Sequence, residues 1–267
     1  MDELCFQSFG SGSSGNCYYI GNSRQGILID AGISPRRIKQ NLRQSGLDLC
    51  NILAVFVTHA HYDHIKFVSA LGEKYNIPVY STEIVHRSIE GNARSVPKLV
   101  QSKRLIEKGI KTPISDFMIT AFEVSHDVAQ CLGYTVEYQG KRFTVATDLG
   151  FIGNEVAEHI KNADFLVIEA NYDHQMLREG KYPYELKERI DSNYGHLCND
   201  QTGKFLAENY HKKLKNVFLC HLSNENNRPE IAYSTVKSYL EQKQIEVGVD
   251  IQLITLERFA PSQFYRF

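Results

Sequence analysis

The stretch of sequence that decides the fold reads Thr58-His59-Ala60-His61-Tyr62-Asp63-His64. The apolar run before it, residues 52–57, is short and rich in aliphatic residues, and therefore predicts a buried strand. Because side chains alternate along a strand, the first two histidines fall on one side of its end. Asp63 and His64 open a predicted helix, residues 65–74, and face a neighbouring point. This spacing predicts two adjacent metal sites rather than a solvent-exposed histidine cluster, because four ligand-type residues so placed are rare by accident.

The composition predicts one globular domain spanning residues 1–267. Of the 267 residues 42% are hydrophobic, and no Pro-, Gly- or Ser-rich tract marks a linker. The net charge of −1 gives no global signal for nucleic acid or a membrane surface. No apolar run reaches the roughly 18 residues of a membrane span, and no signal peptide is recognisable. The six cysteines are dispersed, so we expect a soluble, cytoplasmic protein without disulfides.

The order of the predicted elements indicates an α/β protein. Strands are predicted at residues 4–9, 16–20, 26–30, 52–57, 79–80, 117–124, 131–138, 141–147, 165–168 and 217–220. Helices are predicted at residues 35–44, 65–74, 184–191, 201–209 and 228–242. Groups of strands followed by helices occur twice, which implies two sheets packed face to face with helices outside each, a four-layer αββα sandwich.

Two loops have specific signatures. Gln139-Gly140 predicts a two-residue hairpin turn between its flanking strands. The Gly/Ser run at residues 10–15 opens into a strand rather than a helix. A hairpin loop is therefore favoured there over a phosphate-binding loop.

Four more predicted strands end in residues with metal-ligand chemistry: His126, Asp148, Glu169 and His221. Each is weak evidence alone, because a polar residue ends every buried strand. Together, beside the histidine motif, they predict a site built on one rigid rim of the sandwich.

These residues also carry a resemblance. Leu28-Ile29-Asp30-Ala31-Gly32, the His-x-His-x-Asp-His motif, His126, Asp148 and His221 occur in the order of the metallo-β-lactamase-fold motifs. The whole chain resembles the metallohydrolases of that fold. Residues 10–16, 169–173, 195–197 and 221–227 are similar to the bacterial YycJ/WalJ-like subfamily, whose members are regarded as 5′-to-3′ DNA exonucleases.

The resemblance implies a site with two divalent transition-metal ions. One ion would be held by His59, His61 and His126, the other by Asp63, His64 and His221, with Asp148 bridging them. Asp30 would lie beneath the motif loop and orient it. Histidine-rich donors suit zinc, while the carboxylates also admit manganese or iron.

Such a site predicts phosphodiester hydrolysis, because paired ions activate water and stabilise the charge on a phosphoryl group. Glu169 and His196 are the candidates for protonating the leaving oxygen, and Asp63 is counted with them as catalytic. A carboxylate would hold the tautomer of the imidazole and raise its pKa. The alternative is that His196 only caps the helix that follows it.

The remaining histidines are expected to be less important. His86, His159 and His211 lie in polar helical stretches and are expected on the surface. His174 is close in sequence to Glu169 and is a weak candidate for lining the site.

A local excess of positive charge favours nucleic acid. Residues 91–111 contain Arg94, Lys98, Lys103, Arg104, Lys108 and Lys111 against the single acid Glu107. Such a strip is often only a solvated face, but Lys103 and Arg104 are candidate contacts to a phosphate backbone.

The leading hypothesis is therefore a two-metal phosphodiesterase, a 5′-to-3′ exonuclease acting on DNA ends. One alternative is a small-molecule hydrolase cleaving a thioester, lactone or cyclic nucleotide, which a narrow apolar pocket would favour. The other is a non-catalytic metal-dependent binding protein, but no ligand is missing. About 73 positions separate Asp148 from His221, which leaves no room for an inserted nuclease subdomain.

Overall fold

The computed structural model describes residues 2–92 and 97–267. Its first strands are β1 (Cys5–Gly10), β2 (Cys17–Gly21), β3 (Gly26–Ile29), β4 (Ile52–Phe56), β5 (Val79–Ser81), β6 (Lys103–Leu105) and β7 (Thr112–Ile114). The later strands are β8 (Phe117–Val124), β9 (Cys131–Tyr138), β10 (Lys141–Ala146), β11 (Phe165–Glu169), β12 (Asn216–Cys220), β13 (Gln252–Thr255) and β14 (Tyr265–Arg266). The helices are α1 (Pro35–Gln44), α2 (Tyr62–Ile65), α3 (Glu83–Gly91), α4 (Asn154–Lys161), α5 (His174–Glu179), α6 (Tyr184–Ile190), α7 (Asn199–Asn209) and α8 (Pro229–Gln242).

The described strands form two seven-stranded sheets with the same arrangement of antiparallel and parallel strands. The order is β14-β1-β2-β3-β4-β5-β6 in the first sheet and β13-β12-β11-β10-β9-β8-β7 in the second. In each sheet one part is antiparallel and the other, β3 to β6 or β10 to β13, is parallel. The carboxyl ends of parallel strands meet at one edge of a sheet, so residues that follow them come together.

The sheets pack face to face through aromatic side chains. The Phe6 ring lies 4.8 Å from that of Phe143 and 4.6 Å from that of Phe218, across the two sheets. Strand β11 shows the alternation that this packing requires: Phe165 and Val167 join the core between the sheets, and Leu166 and Ile168 face the helices.

The helices cover both outer faces, which confirms the four-layer prediction. Ile38 of α1 packs on the first sheet, and Val156 of α4 and Val236 of α8 pack on the second. Helix α1 has the predicted bounds, with Ser34 accepting from the Arg37 amide. The predicted hairpin turn is confirmed by positive φ angles at Gln139 and Gly140, and the Gly/Ser run joins β1 and β2 as a hairpin loop.

The prediction of one helix over residues 65–74 is confirmed only in part, because residues 68–74 are helical but a turn at residues 66–67 separates them from the first helix. Helix α2 ends at Ile65, and a separate π-helical turn follows at Ala70–Lys74. The helix is interrupted between them because the Phe67 amide donates to the Ala31 carbonyl at 2.9 Å instead of to a carbonyl of helix α2. Helices α3 and α4 contain the stretches around His86 and His159 that were expected to be helical, but their bounds were not predicted. Helix α5 and strands β6, β7, β13 and β14 were not predicted.

Two further sequence expectations can be compared with the structure. All six cysteines are free, as expected for a chain without a disulfide framework. Within the described ranges, none of the helices combines the length and the apolar character needed to span a bilayer.

Candidate metal centre

The seven predicted ligands lie together at the rim where strands of both sheets end. The motif loop follows β4, and three ligands follow β8, β10 and β12: His126, Asp148 and His221. Their ligand atoms form overlapping groups in which every atom lies within 4.8 Å of the others.

The first group is made of three imidazoles, those of His59, His61 and His126. Nδ1 of His61 lies 3.0 Å from Nε2 of His59 and 3.3 Å from Nε2 of His126. Burial lowers the pKa of each imidazole, so that the neutral form, which binds metals, is favoured. The Gly195 carbonyl accepts from Nδ1 of His126 at 3.1 Å and leaves Nε2 facing the group.

The second group contains Asp63, His64 and His221. Oδ2 of Asp63 lies 3.4 Å from Nε2 of His64 and 3.7 Å from Nε2 of His221. Among the described residues, none hydrogen-bonds to the buried Nε2 of His221. An unpaired buried nitrogen is costly, and here it faces a carboxylate and another imidazole. The arrangement therefore fits a divalent cation, which would use all three donors.

Asp148 lies between the two groups. Its carboxylate is 3.4 Å from Nε2 of His64 and 3.2 Å from Nδ1 of His221, and it also forms a group with His59 and His64. The side chain is almost fully buried, and Thr147 donates to it at 2.7 Å. This is the position that a bridging carboxylate would need.

Asp30 supports the motif loop from below, as the resemblance implies. Its carboxylate accepts from the Thr58 amide at 2.8 Å and contacts Nδ1 of His64 at 2.7 Å. These contacts place the proton of His64 on Nδ1 and leave Nε2 facing the second group.

Asn16 is a site residue that the sequence analysis did not identify. The fully buried Asn16 amide lies 3.1 Å from Oδ2 of Asp63 and 2.9 Å from Nε2 of His64. Ser11, from the same loop, accepts from the His221 amide at 2.9 Å. The Gly/Ser hairpin loop therefore supports the predicted metal ligands from the first sheet. The only sequence signal for this role of Asn16 was its position directly after the Gly/Ser run, at the start of the next predicted strand, and that signal is weak.

Glu169 and His196 lie in contact, as the predicted proton-donating pair requires. Oε1 of Glu169 lies 2.8 Å from Nδ1 of His196 and 2.8 Å from Nδ1 of His221. Oε2 accepts from the Leu149 and Leu197 amides at 3.1 Å. Burial lowers the pKa of His196, but the Glu169 carboxylate outweighs that effect and holds the pKa above its ordinary value. His196 is not the helix cap, because Cys198 occupies that position of α7.

His196 also lines a cavity of about 180 Å³ at the rim. Ser13, Asn171, Tyr182 and Arg189 are among the other lining residues. Arg189 is ion-paired with Asp127, whose carboxylate lies 3.3 Å from Nε2 of His126. Asp127 directly follows a predicted ligand, and this adjacency was the only sequence signal for it.

Three residues of the site have left-handed backbone conformations that glycine normally adopts. The φ angles are 63° at Asp30, 55° at Asp148 and 54° at His221. Such conformations cost free energy and cluster at functional sites. They allow the chain to turn sharply after each of the three strands and to present a side chain at the rim.

Lys103 and Arg104, the candidate contacts to a phosphate backbone, belong to none of the ligand groups, and three lysines of the positive strip are paired with acids. Lys103 lies 3.3 Å from Glu83 and 3.2 Å from Glu90. The Arg104 guanidinium donates to the carbonyls of Gln101 and Lys103. Residues 91–111 contain a single acid, but α3 and strands β8 and β9 bring further acids from other parts of the sequence. Lys108 and Lys111 pair with Glu123 and Glu137. Arg94 lies outside the described residues.

The expectation that three other histidines are exposed is wrong. His86 is buried and lies 2.8 Å from the Arg104 carbonyl. His159 is half-buried and stacks on Phe122 at 4.1 Å, and His211 is half-buried. His174 belongs to none of the ligand groups and lies half-exposed at the start of α5.

Comparisons with known proteins agree with this geometry. The family described as Beta-lactamase superfamily domain matches residues 25–217. Exodeoxyribonuclease YycJ of Bacillus anthracis is 34% identical over 245 residues, which cover 92% of each chain. Exodeoxyribonuclease WalJ of Streptococcus pneumoniae is 35% identical over 256 residues, 95% of each chain. The metallo-β-lactamase fold protein YhfI of Bacillus subtilis has a solved structure with a TM-score of 0.72 at 14% identity, covering 99% of this chain and 100% of that one, and this likeness supports the fold alone. The chain therefore belongs to the beta-lactamase superfamily, in the group that includes YycJ and WalJ.

Proposed function

We propose that the protein is a dinuclear metal-dependent phosphodiesterase that removes nucleotides from the 5′ ends of DNA. The observation that carries the proposal is the pair of ligand groups, three imidazoles on one side and Asp63, His64 and His221 on the other, with the Asp148 carboxylate between them. A paired site of this kind suits a phosphoryl group, whose charge two cations can hold together.

The residues of the chain divide the work of such a reaction. The bound ions would supply activated water and charge stabilisation. His59, His61 and His126 are positioned to hold one ion, and Asp63 and Asp148 add the carboxylates that lower the net charge. His196 carries the proton for the leaving oxygen, and Glu169 keeps that proton on the imidazole. We therefore infer that His196 is the general acid.

The choice of DNA rests on the relatives, because the metal groups alone would suit any phosphodiester. Two relatives that match more than nine-tenths of the chain are named exodeoxyribonucleases. The polarity, from the 5′ end, comes from the motif resemblance. Zinc, manganese and iron all suit a mixed imidazole and carboxylate donor set, and a cytoplasmic location suits both the substrate and the free cysteines.

Metal content tests the first half of the proposal. The purified protein, reconstituted with manganese or zinc, is expected to hold two ions per chain by elemental analysis, and Asp148→Ala is expected to lose at least one. Asp116→Ala is the matched control, because Asp116 is an exposed acid in the turn before β8. Retention of two ions by Asp148→Ala would remove the bridging role.

The substrate is tested with one DNA strand labelled at either the 5′ or the 3′ end. Early release of mononucleotide from the 5′ label is expected with wild type and not with Asp148→Ala. The alternative of a small-molecule hydrolase has one observation in its favour, the small cavity beside His196. Brisk hydrolysis of a lactone or thioester without cleavage of DNA would select that alternative. Metal binding without any hydrolysis would select the non-catalytic one.

A further inference from the structure

We propose that Phe151 and Tyr194 form a stacking site for an unpaired nucleobase next to the metal centre. The proposal rests on the proposed function and specifies its substrate: a nucleic acid end whose bases are not paired. Both rings are strongly exposed, 44% for Phe151 and 64% for Tyr194. Large exposed apolar side chains that share one concave surface mark binding sites more often than scattered ones do.

The two rings line one cavity that reaches the metal centre. The cavity has a volume of about 420 Å³, and its wall also includes His126, one of the three imidazoles of the first ligand group. Phe151 is three residues after Asp148, and Tyr194 is two residues before His196. A group held by these rings would lie against His126, and the two segments that carry the rings lead directly to Asp148 and His196.

The loops that carry the rings are fixed to each other. A Cβ atom on Gly150 would lie 2.3 Å from the carbonyl carbon of Asn193, so the two backbones are in direct contact. The Gly150 amide donates to the Ser125 carbonyl at 2.8 Å, and the Ser125 hydroxyl donates to the Asn193 carbonyl at 2.8 Å. The rings are thus held on rigid backbone, which lowers the entropic cost of binding.

The chemistry of the cavity suits a base better than a charged or purely apolar group. Ser125, Gln130 and Asn154 supply polar groups at the wall. Its two acids, Glu123 and Glu155, share Lys108 at 3.0 and 3.6 Å, which offsets their repulsion of a phosphate backbone. Every base has a π-face, so aromatic stacking holds nucleotides of any sequence, provided that they are unpaired.

The site gives the protein a way to hold nucleic acid that does not depend on Lys103 and Arg104 of β6. Lys103 is already paired with two acids, so releasing it for a phosphate would cost those ion pairs. The stacking site instead uses exposed rings, and covering their apolar surface with a base is favourable in free energy. Recognition is then centred on the end that is cut.

The test compares single-stranded oligonucleotides that carry a base or an abasic residue at position 1, 2 or 3 from the 5′ end. Binding is measured by fluorescence anisotropy with calcium in place of the catalytic metal, and cleavage is measured with manganese. Wild type is expected to bind one of the abasic strands roughly 5- to 100-fold more weakly than the complete strand. The Phe151→Ala/Tyr194→Ala double variant is expected to bind the complete strand and the abasic strands equally.

Two control variants separate stacking from other effects. Phe151→Trp keeps a ring and is expected to retain the preference for a base, whereas Phe151→Leu keeps apolar volume and is expected to lose it. Tyr75→Ala removes an exposed ring elsewhere and is expected to behave as wild type. Cleavage by wild type with equal binding of complete and abasic strands would overturn the stacking site while leaving the nuclease intact. Absence of DNA cleavage by wild type would instead overturn the proposed function.

Discussion

Glu169 is fully buried, and its carboxylate orients two imidazoles that the site needs for different purposes. One carboxylate oxygen contacts Nδ1 of both His196 and His221, and the other accepts two backbone amides. The contact to His221 leaves Nε2 of that ring for a metal, and the contact to His196 holds a proton on the imidazole. In the proposed mechanism Glu169 is therefore a positioning residue, and His196 is the group that would meet the substrate.

This division predicts the behaviour of His196→Ala. The variant is expected to keep its metals but to cleave DNA roughly 10²- to 10⁴-fold more slowly, because the leaving oxygen loses its proton donor. The loss should be much smaller for a nitrophenyl phosphodiester, whose leaving group needs no protonation. Steady-state kcat on both substrates and elemental analysis check this.

His174→Ala is the matched control, since His174 is a half-exposed imidazole outside the ligand groups. It is expected to keep wild-type rates on both substrates. An equal loss on both substrates in His196→Ala would show that His196 binds the substrate or supports the structure rather than donating a proton.

At this scale the sequence identified the residues whose chemistry is local. The motif His59 to His64 is visible because its members are adjacent, and the strand-end residues are visible because each follows an apolar run. Asn16 was missed because its contact is to Asp63, which is distant in sequence. Asp127 was missed because its role depends on its ion pair with the distant Arg189 and on its contact with the adjacent His126. The left-handed backbone at Asp148 was also invisible, because aspartate at a strand end is common in ordinary turns.

At the scale of elements, the loop after β3 and helix α2 are packed with no spare space. The backbone amide of Asn16 donates to the Asp63 carbonyl at 2.9 Å, and the backbone amide of Ala31 donates to the His64 carbonyl at 2.7 Å. A Cβ atom on Gly32 would lie 1.7 Å from the Asp63 carbonyl oxygen. Only glycine allows β3 and the motif helix to approach this closely.

Gly32→Ala is therefore expected to move the motif helix. We expect a loss of about 1–3 kcal/mol in the free energy of unfolding, typical of overpacking, and a roughly 10- to 100-fold weaker metal affinity, because the helix carries Asp63 and His64. Denaturant unfolding of the metal-free protein and a metal titration measure the two effects. Gly91→Ala is the control, because a Cβ atom there would meet no atom of the described residues within 4 Å. Unchanged metal affinity in Gly32→Ala would mean that the helix position does not control the ligands.

The sequence predicted elements with strong local signals and failed where tertiary contacts decide. Helix α1 was found with its bounds because Ser34, Pro35 and Gly46 mark its ends. The helix predicted over residues 65–74 is interrupted because Ala31 takes the Phe67 amide, which no local pattern reveals. The bounds of helix α4 were not predicted although Val156 and Ile160 have helical spacing, because the helix has only eight residues.

At the scale of the whole molecule, the last residues of the chain connect the two sheets. Strand β14 pairs with β1 in the first sheet, and the Phe267 amide donates to the Leu4 carbonyl at 2.9 Å. The Phe267 ring instead packs on the second sheet, 4.0 Å from the ring of Phe165. One residue therefore belongs to the backbone of one sheet and the core of the other.

Phe267→Ala tests whether the sheets unfold as one domain, which stays a prediction from the sequence. We expect a loss of about 1–2 kcal/mol, less than for a fully buried Phe because the ring is half-exposed, and a Tm lower by about 2–8 °C. Hydrogen exchange of the metal-free protein should show peptides of β4 and of β11 opening with the same free energy, both lowered equally by the substitution. Phe259→Ala removes an exposed ring and should change neither. If β11 were destabilised while β4 kept its protection, the two sheets would be separate cooperative units.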